Sequence, residues 1–294
     1  MFKGCLTAMV TPFDQKGNVD YDGLEENIKF QIKNGISGLV PLGTTGESPT
    51  ITIEERKEII EAVVNSAGKI PVVPGTGSNS TEKTIKYSKE AEKLGADAVL
   101  IVSPYYNKPS QEGLFKHFKA VDDAINIPII IYNIQSRTGV NIETPTLARM
   151  AKLKNIAGVK EASGSMAQMM DVINQLPEDF TVLSGDDNMT LPLIAVGGRG
   201  VISVVSNLFP KLVSDMTNYA LKGENEKARK LNYKLLPIFK AAFIETNPAP
   251  IKTAMRWAGM PAGHCRLPLC NMLPENEEKL KNVLKKYQEI KLTA

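Results

Sequence analysis

Eight short apolar runs, each of strand length and each separated from the next by a longer segment, limit what this chain can fold into more than any other feature. They read "CLTAMV", "SGLVPL", "PVVPG", "DAVLIVS", "IPIIIYN", "IAGVK", "FTVLSG" and "GVISVV". Between them, apolar residues recur at helical spacing, as in "IEERKEIIEAVVNSA", "TEKTIKYSKEAEKL" and "SMAQMMDVINQL". Strand and helix in regular alternation mean βαβ units and a parallel sheet. Strands without polar alternation must be covered on both faces. Eight units predict closure into an α/β fold of the (β/α)8 TIM barrel type over residues 1–224. A doubly wound open sheet would want a phosphate-binding glycine turn after its first strand, and "CLTAMVTPFDQKGN" has none. After "NLFPKLVSDMTNYALKG" the strands stop. Residues 225–294 read as a C-terminal helical extension, broken at "ETNPAP" and "MPAGHCRLPLCN", that packs on the barrel.

The chain's 294 residues are 43% hydrophobic and 23% charged, the balance of an ordinary globular protein with a large core. Its net charge of +3 is spread along helix faces such as "EERKEIIEAV", with no basic block to displace the counterions of a nucleic acid. Cys5, Cys265 and Cys270 are odd in number and form no C-x-x-C pair, which argues against a disulfide framework or a structural zinc site. No apolar run reaches 18 residues, and the apolar stretch before Thr11 is shorter than a signal-peptide core. A cytoplasmic protein is expected.

In a barrel of this kind the chemistry lies at the C-terminal ends of the strands. Lys160 ends the sixth run, in "IAGVKEASG", where an ammonium is costly to desolvate. Side chains alternate along a strand, so Glu161 must face the other way and is not its partner. Lys160 therefore either snorkels to solvent or stands in the barrel mouth with a lowered pKa. At the ordinary value only about one lysine in 2,500 is a free amine at pH 7, and a drop of about two to three pH units makes the amine available to attack a carbonyl. "GTTGESPT" sets the hydroxyls of Thr44 and Thr45 in a glycine turn before a helix, suited either to holding a carboxylate or to capping. Tyr105, Tyr106 and Tyr132 follow apolar strands, where a phenol could pass protons or simply fill the core. Arg137 in "QSRTG" could clamp a carboxylate with its planar fork or be solvated. His117 and His264 lie too far apart for a triad or a His-rich metal site. Asp186 and Asp187 read as caps of the next helix rather than metal ligands.

Taken together, "GTTGES", "PYYNKPSQEG", "YNIQSRTG", "GVKEASG", "LSGDD", "GVIS" and "NPAPIK" resemble the dihydrodipicolinate synthases of the pyruvate-dependent class I aldolase superfamily, in family order over nearly the whole chain. The resemblance implies a Schiff-base lyase of lysine and diaminopimelate biosynthesis. In it, pyruvate forms an imine with Lys160, becomes an enamine and attacks L-aspartate-4-semialdehyde to give 4-hydroxy-tetrahydrodipicolinate, with no separate cofactor and no metal. It further implies a proton relay of Thr44, Tyr132 and Tyr106, with Tyr106 reaching into a neighbouring subunit's site. Thr45 would hold the pyruvate carboxylate and Arg137 the semialdehyde carboxylate, while Gly185 and Ile202 would make backbone contacts to pyruvate. A homotetramer built as a dimer of dimers follows from the same resemblance. "SRTG" separates this reading from sister enzymes that join pyruvate to sugar aldehydes, and an imine-forming lysine separates it from a catalytically silent binding barrel. Gln135 stands where the family usually has proline, which removes stiffness from the Arg137 loop. Ile53, Arg56 and Lys83 stand where lysine-inhibited members have histidines and a glutamate, so lysine inhibition is expected to be weak or absent.

Overall fold

The structure is a computed structural model that describes residues 2–287. The last seven residues of the expected C-terminal extension, 288–294, lie outside the described residues. Seven parallel strands form one sheet: β1 (Gly4–Ala8), β2 (Gly38–Val40), β3 (Val99–Val102), β4 (Ile129–Asn133), β5 (Ile156–Glu161), β6 (Thr181–Ser184) and β7 (Gly200–Ser203). Their order is β2-β1-β7-β6-β5-β4-β3, so β2 and β3 are the two ends. The gap between them is filled by the run "PVVPG", which the sequence predicts as a full strand and which instead makes two isolated parallel bridges, Leu39 to Val72 and Gly75 to Leu100. The reason is local: Pro71 and Pro74 have no N–H to give to a ladder. Their carbonyls still serve as acceptors, for Leu39 N–H at 2.9 Å and Leu100 N–H at 2.9 Å, while Val73 and Gly75 donate back to Leu39 and Pro41 at 2.8 Å each. The eighth stave is therefore present in hydrogen bonds though not as a regular strand, and the barrel closes.

Alternation along the strands divides the apolar side chains into two cores. Leu6, Ala8, Val40, Leu100, Ile130, Tyr132, Leu183 and Ile202 pack inside the barrel. Cys5, Leu39, Val99, Ile101, Ile129, Ile131, Val159, Val182 and Val201 point outward against the helices. Lys160 shares the parity of the inner set. Glu161 takes the opposite parity, as the period of two requires.

The helices begin where the sequence supplies caps. Thr52 and Glu55 form a reciprocal capping box at Ile53–Ala67, and Ser80, Ser110 and Ser165 cap Thr81–Lys93, Gln111–Asp122 and Met166–Gln175. Three further helices, Asn225–Ala241, Ala249–Trp257 and Pro274–Leu284, make up the C-terminal part. They break at the two proline-containing stretches.

His117 lies on the inner face of Gln111–Asp122, packed edge-on against Phe118 and hydrogen-bonded through Nδ1 to Thr81 at 3.0 Å. Its Nε2 is buried without a partner, and burial pulls its pKa from 6.5 down to about 4. The neutral ring thus favours the folded state. That contribution is complete above pH 6.5 and is lost as the pH falls from 6.5 towards 4, where the unfolded chain binds a proton that the folded one refuses. The span corresponds to about 3 kcal/mol. Denaturant titrations between pH 7 and 4.5 are expected to show wild type losing more stability than His117→Asn; parallel losses in the two proteins would refute the assignment.

Candidate functional site

At the C-terminal mouth of the barrel, Lys160 on β5 pairs in register with Tyr132 on β4 on one side and with Leu183 on β6 on the other. The lysine is 5% exposed, and its ammonium lies 4.0 Å from the centre of the Tyr132 ring. Of the two alternatives open at the level of sequence, the buried one is realised. Desolvation is the main influence on the amine and lowers its pKa to about 8, against the opposing pull of the Asp186 and Asp187 carboxylates; Arg137 adds a smaller push in the same downward direction. At pH 7 roughly one molecule in ten then carries a free amine. The neighbouring Tyr132 hydroxyl is pushed well above the usual phenol range, chiefly by burial, and is hydrogen-bonded to Thr44. It keeps its proton and can donate it.

Around the amine lies a small inner cavity whose wall includes Thr44, Thr45, Tyr132, Arg137, Lys160 and Gly185. The structure thus gathers six of the eight residues singled out in the sequence around one space. Ile202 packs its side chain in the inner core on β7, and its near neighbour Val204 reaches the cavity wall. Tyr106 is apart from the others: its side chain is 89% exposed and its backbone takes a φ of 72°, a left-handed conformation uncommon for an aromatic residue. The inner cavity continues into a wider one of about 460 Å³, also bounded by Thr44, Tyr132 and Arg137, with Arg56, Lys83 and Tyr105 on its far wall. Arg56 is buried there under the Tyr87 ring and donates to Ser48 at 2.9 Å. Burial lowers the Arg56 pKa.

One local reading needs correction, that of Asp186 and Asp187, and two open alternatives, at Thr44 and Thr45 and at Arg137, are narrowed by the contacts. Thr44 and Thr45 do not cap the helix that follows, since Thr52 does that; they turn instead towards Tyr132 and Asn247. Asp186 and Asp187 do not cap the next helix either. The Asp187 carboxylate accepts from the Ser203 hydroxyl and from the N–H groups of Val204 at 3.0 Å and Val205 at 3.1 Å, so it closes the turn after β7. Burial raises the pKa of both acids, and Lys160 opposes this at Asp186. Arg137 is not merely solvated, because its guanidinium donates to the main-chain oxygen of Asn247 at 3.4 Å while bordering the cavity.

Other positions escaped the sequence reading. Asn247, from the loop before Ala249–Trp257, donates through Nδ2 to Thr45 Oγ1 at 2.9 Å. Glu161, wholly buried on the outer face of β5, accepts from Ser163 N–H at 2.7 Å, Asn133 Nδ2 at 3.1 Å and Gln168 Nε2 at 3.3 Å. Asn133 in turn donates to Asn141 at 2.9 Å and accepts from Ile142 N–H at 3.0 Å. This network underlies the one-turn helix Gln135–Thr138 that carries Arg137. Thr138 fastens the same turn by donating to Ile134 and Val140 carbonyls at 2.9 Å each. A carboxylate beside a strand lysine was the available signal for Glu161, and a polar residue before two prolines the signal for Asn247.

Among the described residues no group of three or more His, Cys, Asp or Glu side chains is placed to hold a metal ion, and no helix is long and apolar enough to cross a membrane. A buried, partly deprotonated lysine, a protonated phenol beside it, and hydroxyl and guanidinium groups able to hold carboxylates make a site suited to imine chemistry on a small oxo-acid.

Similarity to known proteins extends over nearly the whole chain. The model of the Dihydrodipicolinate synthetase family matches residues 1–287. A 4-hydroxy-tetrahydrodipicolinate synthase of Methanocaldococcus jannaschii is 55% identical over 287 residues, covering 97% of this chain and 98% of that protein. One from a Hydrogenobaculum species is 52% identical over 292 residues, covering 99% of this chain and all of that protein. The crystal structure of dihydrodipicolinate synthase from Aquifex aeolicus superposes with a TM-score of 0.97 at 46% identity, covering the whole of both chains. A (β/α)8 barrel with a C-terminal helical part, matched from end to end in this way, belongs to the dihydrodipicolinate synthetase family.

Proposed function

We propose that the protein is a 4-hydroxy-tetrahydrodipicolinate synthase, which condenses pyruvate with L-aspartate-4-semialdehyde in the diaminopimelate and lysine pathway of the cytoplasm. The observation that carries the reading is the buried Lys160 amine, lowered to about 8 and lying over the Tyr132 ring in a cavity that Thr45 and Arg137 also line. In this reading Lys160 Nζ adds to the keto carbon of pyruvate, and the carbinolamine loses water with a proton supplied by Tyr132. Loss of a methyl proton gives an enamine, whose carbon bonds to the aldehyde carbon of the semialdehyde. Attack of the substrate amine on the imine carbon closes the ring and releases Lys160. No cofactor is needed, because the imine itself is the electron sink.

Thr44 orients the Tyr132 hydroxyl, and Thr45 donates a hydrogen bond to the pyruvate carboxylate, with Gly185 and Ile202 contributing backbone contacts. Arg137 holds the semialdehyde carboxylate. Tyr106 completes the relay in a neighbouring subunit's site, within a homotetramer arranged as a dimer of dimers; a fully exposed aromatic in a left-handed backbone supports that role. We assign residues 1–224 to a catalytic barrel domain and 225–294 to a helical domain that contributes to the same site through Asn247.

The deciding experiment is direct detection of product from pyruvate and the semialdehyde. Wild type is expected to turn over, and Lys160→Ala to lose activity by about a thousandfold or more, the order expected when a covalent nucleophile is removed. Borohydride should fix pyruvate to wild type and not to the variant. A wild type that traps pyruvate yet ignores the semialdehyde would keep the imine and overturn the choice of aldehyde.

The rate of that trapping should climb about tenfold for each pH unit below about 8 and level off above it, as the ammonium gives up its proton. A trapping rate that is flat from pH 6 to 8 would overturn a pKa of about 8 for this amine.

Inhibition by lysine is expected to be absent at sub-millimolar concentrations, because Arg56 and Lys83 put positive charge on the wall of the wider cavity beside Ser48, Asn79 and Tyr105. Half-inhibition by lysine in that range would count against it.

A further inference from the structure

We propose that Asn247 recognises the α-ammonium group of the aldehyde substrate, so that one residue of the C-terminal part selects an amino-acid aldehyde over the same aldehyde acid without its amine. The inference rests on the function proposed above and deepens it.

Asn247 is 3% exposed and borders the inner cavity together with Lys160, Thr45 and Asp186. Two of its polar atoms are engaged, Nδ2 with Thr45 at 2.9 Å and the main-chain oxygen with Arg137 at 3.4 Å. Its Oδ1 is buried with no hydrogen-bond partner. The role proposed for Thr45 fits this arrangement of the amide. Thr45 has one hydroxyl proton, and if that proton goes to a carboxylate the oxygen must accept from Asn247, which leaves Oδ1 as the free end. A buried acceptor without a donor is destabilising, and a ligand in the cavity that Asn247 borders can supply one.

Once pyruvate is bound through its keto carbon and carboxylate, it has no hydrogen-bond donor to offer. L-Aspartate-4-semialdehyde has one, an ammonium on the carbon that also bears its carboxylate. The arginine assigned to that carboxylate is held on the main-chain oxygen of Asn247 itself, so the carboxylate anchor and the unpaired acceptor sit on one residue, as carboxylate and ammonium sit on one carbon. Asp186 on the same wall adds negative charge, which favours a cationic donor over a neutral one.

The probe is succinic semialdehyde, the same aldehyde acid lacking the amine, used as a competitor at saturating pyruvate. In Asn247→Ala the KM for aspartate semialdehyde should rise about tenfold or more while the inhibition constant of succinic semialdehyde changes by no more than about twofold. Asn247→Asp keeps the acceptor, adds charge and loses the donor to Thr45, so it should retain the preference for the amine-bearing aldehyde while the KM for pyruvate rises. Equal losses for both aldehydes in Asn247→Ala, or loss of the preference in Asn247→Asp, would overturn the inference and leave the proposed function standing. Borohydride trapping of pyruvate shows that each variant is folded; if Asn247→Ala fails to trap, the aspartate variant decides alone. A wild type that does not consume aspartate semialdehyde overturns the proposed function and the inference together.

Discussion

Lys252 and Glu47 form an ion pair that water does not reach, and the geometry of the site depends on it. The ammonium donates to Glu47 Oε1 at 2.7 Å and to the carbonyls of Thr11 and His264 at 3.0 Å each, over the face of Phe13. Glu47 Oε2 accepts from Arg266 N–H at 2.9 Å, so both carboxylate oxygens are used. Glu47 belongs to "GTTGES" after β2, Thr11 to the loop after β1, and Lys252 to the helix that begins two residues after Asn247. A pair of this kind adds little net stability relative to apolar packing, yet removal of one partner strands a buried charge at a cost of about 3 to 5 kcal/mol. Its effect is on position. It sets Thr45 and Asn247 at a fixed separation across the junction of the barrel and the C-terminal helices.

The barrel supplies the other half of the constraint. Closure puts one face of every strand into an interior without water, and a lysine of inner parity near a strand's end can reach only the mouth or the core. Lys160 therefore cannot escape desolvation by a small shift of its stem. The same closure lays Tyr132 beside it in register, and the ring face offers the ammonium a weak attraction that does not compete with reactivity as a carboxylate contact would. Asp187, one of the two acids that act on the amine through space, has its carboxylate engaged by Ser203, Val204 and Val205 and so is not turned towards it.

Much of this was legible in the chain because it depends on short-range pattern. The eight runs, their alternation with helices, and the parity of Lys160 and Glu161 all follow from periods of 2 and 3.6. What was not legible depends on separations of about 100 to 240 residues, such as Arg137 to Asn247 or Thr11 to Lys252, for which no local periodicity exists. The third run failed as a regular strand for a reason visible in its letters, two prolines. The acids after β6 were misassigned because they serve a turn some sixteen residues on. One signal was available and passed over: "PAPIKTAM" sets a lysine among apolar residues in the same way as "IAGVKEA", and it too proves to be buried.

These two lysines show how differently the fold treats two buried amines. Both are desolvated, and burial lowers both pKa values. Lys252 meets a carboxylate at contact distance and three oxygen acceptors in all, so its proton is held and its nitrogen lone pair is unavailable. Lys160 meets an aromatic face and acids acting only through space, so its proton is held weakly. The nucleophilicity proposed for Lys160 rests on withholding acceptors from a buried amine. The site's remaining polar groups are consistent with that rule, since Thr44 satisfies Tyr132, Asn247 satisfies Thr45, and the Asn247 carbonyl takes up Arg137. None of these bonds goes to Lys160, as the proposed attack on a carbonyl compound entering the cavity requires.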